Sequence, residues 1–485
     1  MTDGTALREI AAEILTEILE KGQYTHLALF QALSKYQYLE KSDRSFLKRI
    51  VDGTVEYKIQ IDYIINAYSK TKVHKMKPFI RTLLRMSVYQ IYYMDRVPDS
   101  AACNEAVRLA KKRGFSGLSG FVNGVLRSVA RGKGKLTFPD DSVRYSMPDW
   151  ILSLWKENYG AETTHRMAQA GLEKRPFMVR FAESRAGKEE ILASLSAQGV
   201  TAEETAAGSG VYRLTGVDYP ESLDAFREGL IRIQDLSSSL AGDAAGIKEG
   251  DFVLDVCGAP GGKGLHAADL LHGTGQVEIR DVSDYKVSLI EENIARSGCT
   301  NVSARAWDAC EFDASMEQKA DVVIADLPCS GLGIIGRKPD IKYNASMDGI
   351  QDLVALQRQM LSVVWQYVKP GGVLVYSTCT VNRLENDENR AWFLNEYPFE
   401  PVDISGRLGI DFQEDSLKEG YIQLYPGVHP CMNTGKTPRV HIGEREAVRY
   451  GKAGYKINDA GGTACLFGES GRKTIPDRPD LSVDA

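Results

Sequence analysis

Residues 251–271, DFVLDVCGAPGGKGLHAADLL, decide the fold. The apolar run Phe252–Val256 reads as a strand, Gly258, Gly261 and Gly262 break it, and Leu265, Ala267, Ala268 and Leu271 follow at helical spacing. A strand that enters a helix through a glycine turn opens a βαβ unit. Glycines let the backbone approach a ligand closely, and a helix N-terminus offers free N–H groups to an anion. The turn is neither the G-x-G-x-x-G dinucleotide fingerprint nor a P-loop, because the spacing differs and no Ser or Thr follows Lys263. A bare βα turn looks the same, so the reading depends on what the next strands carry.

Four more strand-like runs follow: GQVEIRDV (275–282), TNVSARAWD (300–308), ADVVIADLP (320–328) and GGVLVYSTC (371–379). Helical patterns intervene at about 263–271, 284–297 and 347–368. Near-continuous apolar strands alternating with helices predict a parallel sheet covered on both faces, which binds ligands beyond its strands' carboxyl ends. The second strand ends at Asp281, placed to accept both hydroxyls of a ribose, and the third at Asp308, placed to accept from an adenine amino group. Either acid alone also reads as a strand-end cap or a solvated charge. Together with the glycine loop, in this order, they are better explained by S-adenosyl-L-methionine.

The fourth strand ends in Asp326, Pro328 and Cys329, and the fifth in Cys379, flanked by two threonines. The eight cysteines are scattered, with no Cys-x-x-Cys pair and no His/Cys cluster at zinc spacing, which predicts free thiols, no metal and a reduced cytoplasm. Cysteines 103, 299, 310, 431 and 465 read as ordinary thiols, whereas Cys329 and Cys379 end consecutive strands beside the predicted cofactor loop. Carbon 5 of cytosine is too electron-poor to attack a methyl group unaided. A thiolate adding to carbon 6 makes carbon 5 nucleophilic, and Asp326 is placed to stabilise charge at the ring nitrogen. A base must then remove the carbon-5 hydrogen before the thiol leaves, and a second cysteine can assist. The target base must be unpaired or flipped out of its stack.

Upstream, residues 5 to about 132 read as helices only, with Ile80, Leu83, Leu84, Val88 and Ile91 on one stripe. Residues 1–140 carry 23 Lys+Arg against 14 Asp+Glu, a net +9, while the other 345 carry 36 against 51, a net −15. That asymmetry points to an anionic partner for the first segment, nucleic acid being the usual one, although a solvated helical surface has the same composition. Short strands and helices mix from about 147 to 235. No apolar run reaches the ~20 residues that span a bilayer, and the N-terminus is no signal peptide, so a cytoplasmic protein is expected.

DVCGAPGGK, DLPCSGLG, GRKPDIKY and YSTCTVNRLEN resemble the motifs of the Sun/Fmu (RsmB) group of RNA cytosine-5 methyltransferases. The helical segment, including SAACNEAVRLAKKRGFSGLSGFVNGVLR, resembles the NusB-like RNA-binding domain of the bacterial member, which methylates small-subunit (16S) ribosomal RNA. The resemblance covers about residues 5 to 430. It implies a multidomain chain: an all-α NusB-like domain (1–140), a small α+β middle module (145–235), and an α/β Rossmann-like class I methyltransferase domain (236–434). It implies Cys379 as nucleophile and Cys329 as the assisting cysteine, an assignment the residues alone leave open. Carried over position by position, Cys257, Gly258, Ala259, Pro260, Gly261, Gly262 and Lys263 form the cofactor loop. Asp281 faces the ribose, Asp308 the adenine, and Asp326 both substrate and cofactor. Arg337, Asp340 and Lys342 form an RNA-binding loop, which otherwise reads as a surface loop held by Pro339. The implied partner is protein-free 16S ribosomal RNA, with no membrane and no metal, and the chain is expected to act as a monomer.

The sequence departs from the pattern twice. Gly258 stands where alanine is common, in a loop that favours small residues. Where the group closes with a glycine-aromatic strand of the type D-G-F-F-I-A, residues 435–485 are rich in Gly, Arg and Lys. That tail is expected to be disordered and the sheet to lack an edge strand, as after a reading-frame change near Thr434. Two other readings remain open: the same chemistry on another ribosomal or transfer RNA site, and a non-catalytic RNA-binding or assembly factor.

Overall fold

A computed structural model describes residues 4–36, 38–173, 176–217, 219–408, 414–428 and 439–445, the last stretch as backbone. The N-terminal domain opens with α1 (Gly4–Lys21), α2 (Thr25–Lys35) and α3 (Lys41–Glu56), followed by Lys58–Tyr68, Pro78–Tyr93, Asp99–Lys112 and Ser119–Gly132. The predicted stripe Ile80, Leu83, Leu84, Val88 and Ile91 is wholly buried there, against Leu15, Leu47, Ile50 and Leu126. Each such side chain removed from water contributes about 1.5–3 kcal/mol.

The middle module is a four-stranded antiparallel sheet of β1 (Phe177–Phe181), β2 (Thr201–Glu204), β3 (Val211–Thr215) and β4 (Ile231–Arg232), in the order β2-β3-β1-β4. Arg180 of β1 and Arg232 of β4 both reach Asp269, on the helix Gly262–Leu270, and all three side chains are buried. The module is thus bolted to the helix that leaves the glycine turn. Removing one member of such a buried set strands the others' charge, at a cost of about 3–5 kcal/mol.

The C-terminal domain's sheet contains β5 (Phe252–Asp255), β6 (Gln276–Asp281), β7 (Val302–Ala306), β8 (Ala320–Asp326) and β9 (Val368–Thr378), running β9-β8-β5-β6-β7 and all parallel. Chain order reverses between β5 and β8, so the crevice beyond their carboxyl ends is the binding position of a doubly wound sheet. Val253, Ile279, Val323, Ile324 and Val375 are buried, as strands covered on both faces require.

The expected gap at the sheet edge is absent. Arg439–Arg445 forms β12, antiparallel to β9 from Glu444 opposite Val373 to Arg439 opposite Thr378. β12 also pairs with β10 (Phe399–Pro401) and β11 (Tyr421–Gln423). The run R-V-H-I alternates polar and apolar residues, a short strand pattern hidden among the charges. The rest of the tail expected to be disordered, residues 435–438 and 446–485, lies outside the described residues.

Candidate active site

The glycine turn folds back on its own sheet. The Gly258 amide donates to the Arg280 carbonyl at 2.8 Å, the Ala259–Pro260 bond is cis, and Gly261, at φ +106°, precedes the helix that starts at Gly262. A Cβ on Gly258 would stand 2.4 Å from Ile279 Cγ2 and 2.7 Å from the Asp255 carboxylate, so glycine is what this packing accommodates. Nothing lies within 4 Å of the corresponding position on Gly262, at the first turn of the helix.

Asp281, Asp308 and Asp326 stand at or just past the ends of β6, β7 and β8. Asp281, closing β6, accepts from the Ala259 amide at 3.2 Å, the Val282 amide at 2.8 Å and Lys286 Nζ at 2.9 Å. Asp308, just past β7, accepts from the Cys310 amide at 2.8 Å. Asp326, closing β8, takes Lys263 Nζ at 2.5 Å on one oxygen and Ser377 Oγ at 2.7 Å on the other. Burial lowers the Lys263 pKa, but the Asp326 and Asp255 charges outweigh it and the net shift is upward, so the ammonium stays charged. Asp255, buried beneath the turn, is pushed by desolvation up to about 7. Burial, reinforced by Asp255, Asp281 and Asp326, drives the Cys257 thiol far above its ordinary value and keeps it neutral.

Beyond Asp326 the two cysteines meet. Their Sγ atoms are 3.3 Å apart, and the Cys379 amide approaches Cys329 Sγ at 3.3 Å. The contact to Cys379, then burial, then the negative charge of Glu385 raise the Cys329 thiol well above its ordinary value. The Lys263 ammonium feels the Cys379 sulfur as a favourable charge.

A polar network missed in the sequence holds both loops. Glu385, fully buried, accepts from the Ser330 amide at 2.8 Å, Ser330 Oγ at 2.5 Å, Asn382 Nδ2 at 3.0 Å and Gln357 Nε2 at 3.2 Å. Asn386 accepts from Thr378 Oγ1 at 2.7 Å and donates to the Thr380 carbonyl at 3.1 Å, gripping both neighbours of Cys379. Asn382, Glu385, Asn386 and Asn389 are all fully buried. Their spacing, which puts buried polar groups at three- and four-residue intervals, was the available signal.

The predicted RNA loop is engaged by other elements of the chain. Asp340 is buried and accepts from the Thr25 amide at 3.0 Å; Lys342 is 2% exposed and donates to the Glu56 carbonyl at 2.7 Å. Those partners are the first residue of α2 and the last of α3, so an acid caps one helix's positive end and a lysine the other's negative end. Arg337 pairs with the buried Asp235 at 3.3 Å. Arg337, Asp340 and Lys342 therefore tie elements together, and the helical domain covers part of the loop. Lys338, between them, is exposed and has no ion-pair partner among the described residues.

A cavity of about 400 Å³ lies over the cysteine pair, bordered by Ser330, Gly331, Ile334, Asp340 and Asn344, and closed from the helical domain by Tyr24 and His26. It has room for a nucleotide base.

Comparison with known proteins follows the same division. The family described as 16S rRNA methyltransferase RsmB/F matches residues 245–431, the NusB family residues 5–131, and the RsmF/B-like ferredoxin-like domain residues 147–217. A probable ribosomal RNA small subunit methyltransferase B of Bacillus subtilis is 36% identical over 87% of this chain and 96% of its own. A protein of the same description from Synechocystis is 30% identical over 87% and 96%. The crystal structure of PH0851 shares the fold, with a TM-score of 0.74 at 23% identity over 90% of this chain and 99% of that one. The chain belongs to the RsmB/F family of 16S ribosomal RNA methyltransferases.

Proposed function

We propose that this protein uses S-adenosyl-L-methionine to methylate carbon 5 of one cytosine in protein-free 16S ribosomal RNA, through a covalent bond from Cys379 to the base. The observation that carries the reading is the pair of sulfurs at 3.3 Å beside the Lys263–Asp326 ion pair, at the carboxyl ends of β8 and β9. The residues around the turn fit the cofactor. Gly262 leaves open space at a helix N-terminus, and Lys286, half exposed, is the partner on Asp281 that a ribose hydroxyl would displace. Asp308 would take the adenine edge. The cofactor supplies an electrophilic methyl group on a sulfonium.

The protein's part is to make carbon 5 attack it. Cys379 adds as thiolate to carbon 6 while N3 takes up a proton at the Asp326–Lys263 pair, leaving carbon 5 electron-rich. After the methyl group is transferred, a base removes the carbon-5 proton, the Cys379–carbon 6 bond breaks, and the N3 proton returns to the protein. Cys329, held neutral against the leaving sulfur, is placed to assist that release. The cytosine enters the cavity unpaired, while the helical domain engages the phosphate backbone.

The test is transfer of labelled methyl groups to protein-free 16S RNA, followed by nucleoside analysis. Wild type is expected to yield 5-methylcytosine and Cys379→Ala none; equal label from both proteins overturns the nucleophile assignment. Label on RNA at any other atom overturns the carbon-5 reading.

A further inference from the structure

One wall of the cavity comes from the helical domain. Tyr24 occupies the N-cap of α2, where its side chain makes no capping bond, unlike the Ser, Thr, Asp or Asn usual there. The missing acceptor comes from Asp340, which takes the Thr25 amide from 315 residues away. The start of α2 is thereby fixed to the active-site loop at the residue next to Tyr24. The Tyr24 and His26 ring centroids lie 5.9 Å apart, and both residues line the same cavity as Cys329 and Cys379. Tyr24 stays 50% exposed, which leaves ring surface open to a ligand. Burial, then the nearby Lys338 ammonium, lowers the His26 pKa, so a neutral ring faces the cavity at neutral pH. Lys338 lines the cavity as well, and no residue of the cofactor turn does.

We propose that Tyr24 and His26 form a stacking platform for the nucleotide adjacent to the target cytosine, with Lys338 meeting its phosphate, so that the helical domain positions the substrate inside the active site. This rests on the RNA-methylation reading above. Extruded single-stranded bases are recognised by stacking on aromatic rings, and a cation beside the rings suits the backbone that joins two nucleotides. An aromatic pair on the substrate side of the cysteines, tied to the loop by Asp340, meets both requirements.

The experiment uses the full chain, protein-free 16S RNA and S-adenosyl-L-methionine. Tyr24→Ala is expected to lower kcat/KM for RNA about tenfold or more, with KM for the methyl donor unchanged, and Tyr24→Phe to restore it. Equal kcat/KM in Tyr24→Ala and wild type overturns the proposal, as does a loss in Tyr24→Phe as large as in Tyr24→Ala. Ultraviolet cross-linking of the wild-type chain to the same RNA reads the platform without turnover. A nucleotide attached to the peptide holding Tyr24 and His26 supports it, and cross-links confined to other peptides overturn it. Cross-linking at that peptide without 5-methylcytosine formation would retain the platform and reject the chemistry.

Discussion

Asn386 grips both neighbours of Cys379: its side chain accepts from the Thr378 hydroxyl and donates to the Thr380 carbonyl, so the cysteine sits in a clamped three-residue arch. The thiol's direction is therefore set by an amide seven residues downstream. Asn386→Ala leaves a buried hydroxyl and carbonyl unpaired, which costs about 1–3 kcal/mol of stability. Methyl transfer is expected to fall far more than the folded fraction at 25 °C, measured by comparing kcat with the circular dichroism of the same sample. A parallel fall in the two would reduce Asn386 to a structural residue.

The neighbouring sulfur predicts a different defect. With Cys329 replaced by Ala, addition to carbon 6 and methyl transfer remain available, but release of Cys379 loses its assisting group. Cys329→Ala is expected to accumulate a protein–RNA adduct that survives denaturing electrophoresis, and Cys329→Ala/Cys379→Ala is expected to form none.

The two caps between domains predict coupling of stability to catalysis. Asp340→Ala removes the acceptor at the start of α2, at a cost of about 0.5–2 kcal/mol, and releases the Tyr24 wall. Asp340→Asn keeps an acceptor oxygen. Activity is expected to order wild type, Asp340→Asn, Asp340→Ala, and thermal melting to follow the same order.

Lys342 predicts a pH dependence. Burial lowers its pKa from 10.5 to about 7, so between those values the unfolded chain holds a proton that the folded chain does not. Stability from this group therefore rises with pH across that window, by up to about 1.4 kcal/mol per unit. Lys342→Met is expected to lose that rise. Denaturant titrations of both proteins from pH 7.5 to 9.5 measure it as a difference that grows with pH in favour of the wild type.

β12 predicts that the unusual C-terminus matters. Its pairing ends at Thr378, the residue before Cys379, so it braces the strand that delivers the thiol. A chain ended after Thr434 loses β12 and leaves the β9 edge unpaired. It is expected to melt earlier and turn over more slowly than a chain ended after residue 446.

The site's frame was legible because each part lies at a strand end. Residues 251–271 gave strand, turn and helix, and the acids Asp281, Asp308 and Asp326 follow from where the apolar runs stop. The proximity of Cys329 and Cys379 was inferable from sheet order, since β8 and β9 are neighbours. Long-range capping was not legible. Asp340 and Lys342 read as RNA-binding or surface-loop charges because their partners are backbone groups of helices 315 and 286 residues distant in sequence, invisible to any periodicity. β12 was missed because its few apolar residues carry too little pattern when its pairing partners are not known.

The central claim is a bond from Cys379 to carbon 6, and RNA containing 5-fluorocytosine tests it most directly. Fluorine replaces the hydrogen whose removal lets the thiol leave, so methyl transfer stops at the adduct. Digestion and mass spectrometry of the trapped complex should find the methylated fluorinated nucleotide on the peptide containing Cys379, and none in Cys379→Ala. Attachment at Cys329, or methylation of ordinary cytosine by a protein that forms no adduct, would contradict the account.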